Sequence, residues 1–504
     1  MAMIDGLLLG IHTAFSPTVL FYCLMGVTVG TFIGVLPGIG ALATVSLLLP
    51  VSFHLDPASA IVMLAGVYYG AQYGGSTASI LLNLPGTPSH AVTCLDGYPL
   101  ARKGKAGVAL FLTTIASFVG SMIGVVALAA FAPAIAEIGL SFGAWEYFSM
   151  MLLGLIAAST MTSGSKAKGL AMVVVGLFLG TIGTDTSTGI NRFVFGVPGL
   201  LDGINLIALA MGIFGVNEII ATANHTRISS PERISLRGML PNREETRRSV
   251  FSMLRGTGVG GFFGVLPGAG PSIAAFMAYA VERNISSTPE RFGKGAVEGL
   301  VSPEAANNAA VQTAFIPTLS LGIPGDAVMA LMLTALIIHG IQPGPMMLTM
   351  QPEVFWGLVV SFVIGNVMLV VLNIPLIGVW VSILRIPYVL LFPAMLVCIA
   401  LGVYSVNNST FDVMLVALIG GAGYLIYVLR FEATPMLLGF VLGPMMEENL
   451  RRALQISRGD PTTFVTRPVS GIFLALCAAL LVWTIWGGVR GWRHRMKEKR
   501  AEVA

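Results

Sequence analysis

Four clusters of glycine and proline interrupt strongly apolar stretches of this sequence. They are GVLPGIG at 34–40, NLPGTP at 83–88, GVLPGAGP at 264–271 and GIPGD at 322–326. Inside a membrane, backbone that leaves the helix is tolerated only where protein covers it or where it lines a cavity. Broken helices expose half-helix N-termini, which attract anions, and unwound carbonyl groups, which coordinate Na⁺. The clusters therefore predict a site for a transported anion or ion.

Polar side chains flank these breaks. Amide and hydroxyl oxygens there could coordinate a hard cation such as Na⁺ or hydrogen-bond a carboxylate, whereas their alternative role is hydrogen bonding between packed helices. Each glycine or proline could equally be a kink or a close-packing point. The predicted substrate and ion site comprises Pro37, Gly38, Gly40, Asn83, Pro85, Gly86, Thr87, Pro267, Gly268, Gly270, Asn307, Asn308, Pro324, Gly325 and Asp326.

Ionisable residues within apolar segments are functional candidates by default. Asp326 directly follows Pro324-Gly325, and Glu304 precedes the pair Asn307-Asn308. Asp185 and Arg192 flank a glycine-containing polar stretch, although any of these charges could instead lie at a membrane interface. The six histidines and four cysteines show no metal-ligand spacing, and HExxH is absent. We therefore expect no cofactor, no metal beyond a transported Na⁺, and no enzymatic activity.

The elements that must position these residues are membrane helices. Hydrophobic residues make up 55% of the 504 and charged residues 10%, against about 25% charged in soluble domains. Apolar stretches long enough to cross a bilayer recur along the chain and predict about ten to thirteen crossings. The predicted fold class is an all-α polytopic membrane protein with broken or re-entrant helices at the Gly-Pro motifs.

Basic residues are concentrated in two places. The loop 225–255 carries seven arginines, and the tail RGWRHRMKEKR occupies 490–500, whereas residues 1–16 contain no Lys or Arg. By the positive-inside rule, the loop and the C-terminus are predicted to be cytoplasmic. These charges set topology and do not indicate nucleic acid as a partner.

The sequence contains an internal repeat. GTFIGVLPGIG at 30–40 matches GGFFGVLPGAG at 260–270, and 68–86 aligns more weakly with 307–325. The loops that follow equivalent motifs carry opposite charge bias. In the first half, Arg and Lys follow the second motif, whereas in the second half they follow the first motif. This pattern predicts two inverted-topology repeats. The predicted divisions are a first membrane repeat at 1–224, a basic cytoplasmic linker at 225–250, a second membrane repeat at 251–489 and a basic cytoplasmic tail at 490–504.

The paired GVLPGxG motifs, LLNLPGTP and SPEAANNA…IPTLSLGIPGDA make this sequence similar to the large membrane subunit of the tripartite tricarboxylate transporters. The resemblance runs from about residue 15 to 450. It implies a multi-pass protein of the bacterial inner membrane that works with a small membrane subunit of about four helices and a periplasmic solute-binding protein. It also implies import of organic acids, tricarboxylates or dicarboxylates, coupled to a Na⁺ or H⁺ gradient, with Na⁺ the expected ion.

Two other interpretations remain open at this stage. A cation/proton antiporter would also use inverted repeats with broken helices, and it would need core acidic residues such as Asp326 and Asp185 as proton carriers. A membrane scaffold for a partner complex has little reason to maintain four paired helix breaks.

Overall fold

A computed structural model describes residues 3–36, 40–160, 165–185, 188–222, 236–383 and 388–503. Most of this structure is α-helical, and a short antiparallel ladder pairs β1 (Gly183–Thr184) with β2 (Asn191–Arg192). The predicted residues Pro37 and Gly38 lie outside the described residues, as do residues 225–235 of the predicted linker. The helices up to residue 222 are α1 (Met3–Ala14), α2 (Pro17–Val35), α3 (Ala41–Ser52), α4 (Pro57–Leu82), α5 (Ala91–Leu100), α6 (Ala106–Gly139), α7 (Ala144–Thr160), α8 (Lys166–Gly180), α9 (Leu206–Ala210) and α10 (Asn217–Thr222).

The second half continues in the same style, with long helices separated by short turns. Its helices are α11 (Arg243–Val265), α12 (Gly270–Ile285), α13 (Val297–Thr313), α14 (Phe315–Leu321), α15 (Ala327–Ile338), α16 (Met347–Met350), α17 (Pro352–Asn373), α18 (Ile377–Ile383), α19 (Tyr388–Asn407), α20 (Thr410–Val428), α21 (Thr434–Ile456), α22 (Thr463–Thr466) and α23 (Pro468–Val503).

Within the described residues, four helical segments are long and apolar enough to cross a bilayer: Pro17–Val35, Pro88–Gly139, Pro352–Asn373 and Thr410–Val428. Shorter apolar helices accompany them, among them Ala41–Ser52 and Ala327–Ile338, which directly follow two of the Gly-Pro clusters. The chain is therefore an all-α polytopic membrane protein, as predicted. The number of crossings stays a prediction.

The helices form two compact units. Unit 1 contains Met1–Leu140 and Asn205–Leu425, and unit 2 contains Ser141–Ile204 and Ile426–Ala504. Each predicted half therefore contributes segments to both units. The division into two repeats remains a prediction, because the compact units interleave the halves and do not coincide with them.

Helix α4 illustrates how local sequence sets the ends of these helices. The Asp56 carboxylate accepts the N–H of Ser59 at 3.0 Å, and Pro57 occupies the first turn, where its missing N–H costs nothing. The helix ends where Asn83 adopts a left-handed conformation with φ 58°, which Asn tolerates better than most residues. The chain therefore leaves the helix at the predicted break. Nearly every residue of α4 between these ends is buried.

Candidate functional site

Helices α2 and α4 touch along a row of glycines. A Cβ atom added to any of three α2 glycines would overlap a backbone carbonyl oxygen of α4, so the two backbones approach more closely than larger residues allow. The row explains why glycine recurs at every fourth position before the first Gly-Pro cluster. The glycines are Gly26, Gly30 and Gly34, and the carbonyls belong to Met63, Val67 and Ala71, in that order.

Helices α11 and α13 repeat this contact. A Cβ added to three α11 glycines would overlap carbonyl oxygens of α13 in the same way. The glycines lie 230 positions after those of α2 and the carbonyls 239 positions after those of α4, which are the offsets of the two sequence matches. The second set consists of Gly256, Gly260 and Gly264 on α11, with Ser302, Ala306 and Ala310 on α13.

The helix breaks are also equivalent. Asn83 ends α4 with φ 58°, and Gly322, 239 positions later, ends α14 with φ 72°. In the first half, a Cβ at Gly86 would lie 2.5 Å from the carbonyl oxygen of Gly34. In the second half, the N–H of Gly268 donates to the carbonyl of Gly325 at 2.8 Å. In each half, the second Gly-Pro cluster therefore packs against the first.

A buried polar cluster joins residues of the two halves beside these breaks. Gln72 Oε1 accepts hydrogen bonds from the Thr87 hydroxyl at 3.3 Å and the Ser89 hydroxyl at 3.2 Å. Across the halves, Asn307 Nδ2 donates to the same oxygen at 3.2 Å. The predicted residues Thr87 and Asn307 thus meet at Gln72, and all of these side chains are buried.

His90 extends this cluster towards Glu304. Its Nδ1 is hydrogen-bonded to Thr87 Oγ1 at 2.7 Å, and its Nε2 lies 3.5 Å from Asn307 Nδ2 and 3.8 Å from Glu304 Oε1. Glu304 also accepts a hydrogen bond from the Thr93 hydroxyl. A carboxylate, an imidazole, amides and hydroxyls therefore share one water-excluded region.

The predicted residue Asn308 lies on the side of α13 that faces α6. Its Nδ2 donates to Ser117 Oγ of α6 at 2.8 Å and to the carbonyl of Glu304 at 3.1 Å. Ser117 Oγ is in turn 3.5 Å from Glu304 Oε2. Glu304 and Asn308 therefore both bond to the same serine.

Several buried polar atoms on α13 have no hydrogen-bond partner within the described protein. Among them are Asn307 Oδ1, Asn308 Oδ1 and both amide atoms of Gln312. All three side chains are at most 1% exposed. Because buried polar atoms in native proteins are nearly always satisfied, these atoms mark a place for a bound ligand, ion or water.

Asp326 has a structural role. It is the N-cap of α15, where its Oδ1 accepts the N–H of Met329 at 2.8 Å, and its Oδ2 accepts the Tyr68 hydroxyl at 2.5 Å. Gly270, at φ 60°, starts α12 close to Asp326, since a Cβ there would lie 3.4 Å from Asp326 Cβ. These contacts bring Asp326 and Gly270 together at the second-half breaks.

The remaining predicted residues belong to the breaks themselves. Asn83 and Pro85 are exposed, and Gly40 is the N-cap of α3 with open space around it. Pro267 is partly buried, and Pro324 is buried. In the described structure the Asn83 side chain makes no hydrogen bond to the polar cluster, and the glycine and the prolines have no side chain that could make one. The place of these five residues in a binding site stays a prediction.

Sequence reasoning missed several polar residues in the cluster or next to it. Gln72, His90, Thr93, Ser117 and Gln312 are buried polar residues of helices or helix ends that lie between the motifs. A search for amide side chains in apolar segments could have found Gln72 and Gln312, because unpaired amides are costly there. The positions of His90 and Ser117 depend on contacts between distant segments and leave no local signal.

In unit 2, Asp185 and Arg192 bond to each other and to helix α21. Asp185 Oδ2 lies 2.9 Å from both Arg192 Nη2 and Arg451 Nη2. Glu447 pairs with Arg192 at 3.0 Å and with Arg451 at 2.6 Å. The charges alternate in a closed network that holds the β-ladder against α21, which is a structural role for Asp185 and Arg192.

Comparison with known proteins provides independent evidence for the family. A protein described as uncharacterized, of 52.8 kDa, in the TAR-I ttuC′ 3′ region of Agrobacterium vitis is 47% identical over 98% of this chain and 99% of its own length. A second uncharacterized protein, in the TAR-II ttuC′ 3′ region of the same organism, is 50% identical over 47% of this chain and 98% of its own length. No solved structure matches the chain.

The family comparison covers most of the chain. The sequence model of the tripartite tricarboxylate transporter TctA family matches residues 20–438. That range includes all four Gly-Pro clusters and every member of the buried polar cluster. The chain therefore belongs to the tripartite tricarboxylate transporter TctA family.

Proposed function

We propose that this chain is the large membrane subunit of a secondary transporter that imports small organic acids, dicarboxylates or tricarboxylates, with a Na⁺ gradient. The alternative coupling ion is H⁺. The single observation that carries the proposal is the buried polar cluster at which Thr87 and Gln72 of the first half meet Asn307 of the second, in a member of a transporter family. The antiporter alternative has no such support, because Asp326 caps a helix.

The chemistry of the cluster suits a carboxylate that travels with a cation. Hydroxyl and amide groups of Thr87, Ser89 and Asn307 can donate hydrogen bonds to carboxylate oxygens. Lys and Arg are not among the residues that bond within the cluster. An uncompensated polyanion at the centre of a bilayer would be prohibitively costly. A co-bound Na⁺ supplies the missing positive charge.

The repeated helix contacts support an inverted repeat. Two helix pairs use the same glycine spacing, and the breaks that follow begin at equivalent left-handed residues, Asn83 after α4 and Gly322 after α14. Combined with the opposite charge bias of the equivalent loops, this favours two copies inserted with opposite orientation. Transport would then proceed by alternating access, with the site at the breaks exposed to one side at a time.

Membership of the family supports a proposal for the partners and the location. We propose that the substrate reaches this subunit from a periplasmic solute-binding protein, and that a small membrane subunit of about four helices completes the complex in the inner membrane. The basic loop around 225–250 and the tail at 490–504 are proposed to face the cytoplasm.

The test is uptake of labelled citrate and a panel of dicarboxylates into proteoliposomes that contain this chain and its small partner. The binding protein is added outside, and a Na⁺ gradient is imposed or omitted. We expect uptake of at least one acid that requires both the binding protein and inward Na⁺. Cation flux without an acid or a binding protein would contradict the proposal.

A Gln72→Ala variant sharpens this assay. The substitution removes the Gln72 side-chain oxygen, which accepts hydrogen bonds from Thr87, Ser89 and Asn307, so we expect acid uptake to fall by about tenfold or more. Asn373→Ala is the control, because Asn373 is a buried asparagine whose one side-chain bond within the described residues goes to the carbonyl of Leu369 on its own helix. Equal uptake by the two variants would contradict the placement of the site.

A further inference from the structure

A polar strip runs between helices α6 and α13. On α13, Glu304, Asn308 and Gln312 recur every four residues and so occupy one face. Ser117 and Ser121 follow the same spacing on α6. Ser117 contacts both Glu304 and Asn308, and the stem of Gln312 packs on Gly124 of α6, where an added Cβ would lie 2.8 Å from Gln312 Cβ.

The strip contains a buried carboxyl group without a strong ionic partner. Glu304 is 1% exposed, and its hydrogen bonds come from the hydroxyls of Thr93 and Ser117. Within the described residues, the basic group that pairs with it is His90, at 3.8 Å, and neither Lys nor Arg forms a salt bridge to it. A buried carboxylate needs a counter-charge.

The strip also contains acceptor oxygens that no described residue satisfies. Asn308 uses its Nδ2 twice, but within the part of the chain that the structure describes its Oδ1 has no partner, and neither amide atom of Gln312 has one. Both residues are 0% exposed. Hard cations take carboxylate, amide and hydroxyl oxygens as ligands, so these unsatisfied oxygens and the carboxylate of Glu304 call for the same kind of ligand.

We propose that a Na⁺ ion binds between α6 and α13, level with Asn308. Successive members of the strip are about 6 Å apart along the helix, so an ion beside Asn308 Oδ1 lies within reach of Glu304 and Ser117 on one side and of Gln312 and Ser121 on the other. One carboxylate neutralises one monovalent ion, whereas Mg²⁺ or Ca²⁺ would leave an uncompensated positive charge in the core. This inference rests on the proposed function and names the site of its coupling ion.

The test is the Na⁺ dependence of thermal unfolding, measured on the purified full-length chain in lipid nanodiscs. NaCl replaces choline chloride at constant ionic strength. A ligand that binds the folded state raises the melting temperature with its concentration. We expect the wild type to respond to Na⁺, and Asn308→Ala and Glu304→Gln to need about tenfold or more Na⁺ for the same response.

Two further variants guard against a general loss of stability. Asn373→Ala is matched to Asn308→Ala, because each asparagine donates to the carbonyl four residues earlier on its own helix, and we expect it to respond to Na⁺ like the wild type. Gln312→Leu removes two unsatisfied buried atoms, so it should be no less stable without Na⁺ but should respond more weakly to it. Na⁺ responses unchanged in Asn308→Ala, Glu304→Gln and Gln312→Leu, or absent from the wild type, would overturn the site.

Acid uptake into proteoliposomes, measured with the same variants, distinguishes a failure of this inference from a failure of the proposed function. Acid uptake that depends on the binding protein but not on Na⁺ would overturn the Na⁺ site and leave acid transport standing. A Na⁺ response that the three strip variants weaken, in a chain that transports no acid, would support the site while the proposed function fails.

Discussion

Helices α4 and α13 occupy equivalent places against α2 and α11, yet their polar side chains differ. At positions 239 apart, Tyr68, Tyr69 and Tyr73 on α4 correspond to Asn307, Asn308 and Gln312 on α13. The tyrosine hydroxyls have protein partners: Tyr68 donates to Asp326, Tyr73 donates to Asn366 at 3.0 Å, and Tyr69 lies 3.9 Å from Cys23 Sγ.

The amides of α13 instead leave oxygens unsatisfied. The comparison shows that the same close contact between helix backbones occurs in both halves, whereas the polar side chains beside it differ in their roles. In the first half, the central tyrosines bond to other side chains of the protein, and two of those partners, Asp326 and Asn366, lie in the second half. In the second half, the amides present free oxygen atoms, and we interpret this face as the one that binds the transported species.

The largest effect should come from the contact that both halves share. Gly30→Ala and Gly260→Ala each place a Cβ against a backbone carbonyl that cannot move aside. We expect each to lower the free energy of unfolding by about 3 kcal/mol, the upper end for overpacking, as measured by chemical denaturation in detergent. Gly258→Ala on α11 is the control, because a Cβ there meets nothing within 4 Å. A similar loss in Gly258→Ala would show that the cost is not steric.

The next effect should distinguish the role of α13 from that of α4. Asn307→Ala removes the bond between the halves at Gln72, and we expect uptake to fall by about tenfold or more. Tyr68→Phe, at the equivalent position of α4, removes one hydroxyl and should change uptake by less than about threefold. Initial rates of acid uptake into proteoliposomes provide the measurement. Equal losses in the two variants would contradict the division of roles.

A smaller effect concerns Asp326, which the comparison treats as a helix cap. Asp326→Ala should lower the free energy of unfolding by about 1 kcal/mol, because the Met329 N–H loses its acceptor. Asp326→Asn should retain both stability and uptake, since asparagine caps helices as well as aspartate does. Loss of uptake in Asp326→Asn at unchanged stability would instead assign its negative charge to transport.

The smallest effect should distinguish the starts of α2 and α11. Asn242 and Glu245 form a reciprocal capping box with both bonds at 2.8 Å, whereas the Ser16 hydroxyl accepts the N–H of Val19 at 3.4 Å. We expect Asn242→Ala to cost about 1 kcal/mol of unfolding free energy and Ser16→Ala about 0.5 kcal/mol. Thermal melts of both variants measure the difference, and a reversed order would contradict it.

Much of the fold could be predicted from the sequence, because its signals are local. Long apolar stretches predicted membrane helices, and each Gly-Pro cluster does separate two helices. The offsets of the repeat matches also predicted which residues would be equivalent. The interleaving of both halves within each compact unit could not be predicted, since it depends on contacts between segments far apart in the chain.

Some of the predicted site residues lie together in the structure, and their role in binding stays a prediction. Thr87, Asn307 and Asn308 lie in the polar cluster or the polar strip, whereas Asn83 and Pro85 are exposed at the break. Asp326 has a charge in an apolar context, which sequence reasoning takes as functional. In the structure it caps α15 and accepts the Tyr68 hydroxyl, and its role in transport stays a prediction. Motif residues supply part of the polar cluster, and the rest of its side chains, such as Gln72 and His90, come from positions outside the Gly-Pro clusters.

The central claim is that the two copies enter the membrane from opposite sides and bring their breaks to one buried site. His54 and Asn284 are exposed, lie 230 positions apart and follow equivalent motifs. The direct measurement introduces His54→Cys or Asn284→Cys after replacing Cys94 and Cys398, and labels right-side-out and inside-out vesicles with a membrane-impermeant maleimide. We predict labelling of position 54 from the periplasmic side and of position 284 from the cytoplasmic side. Labelling of both positions from the same side would contradict the account.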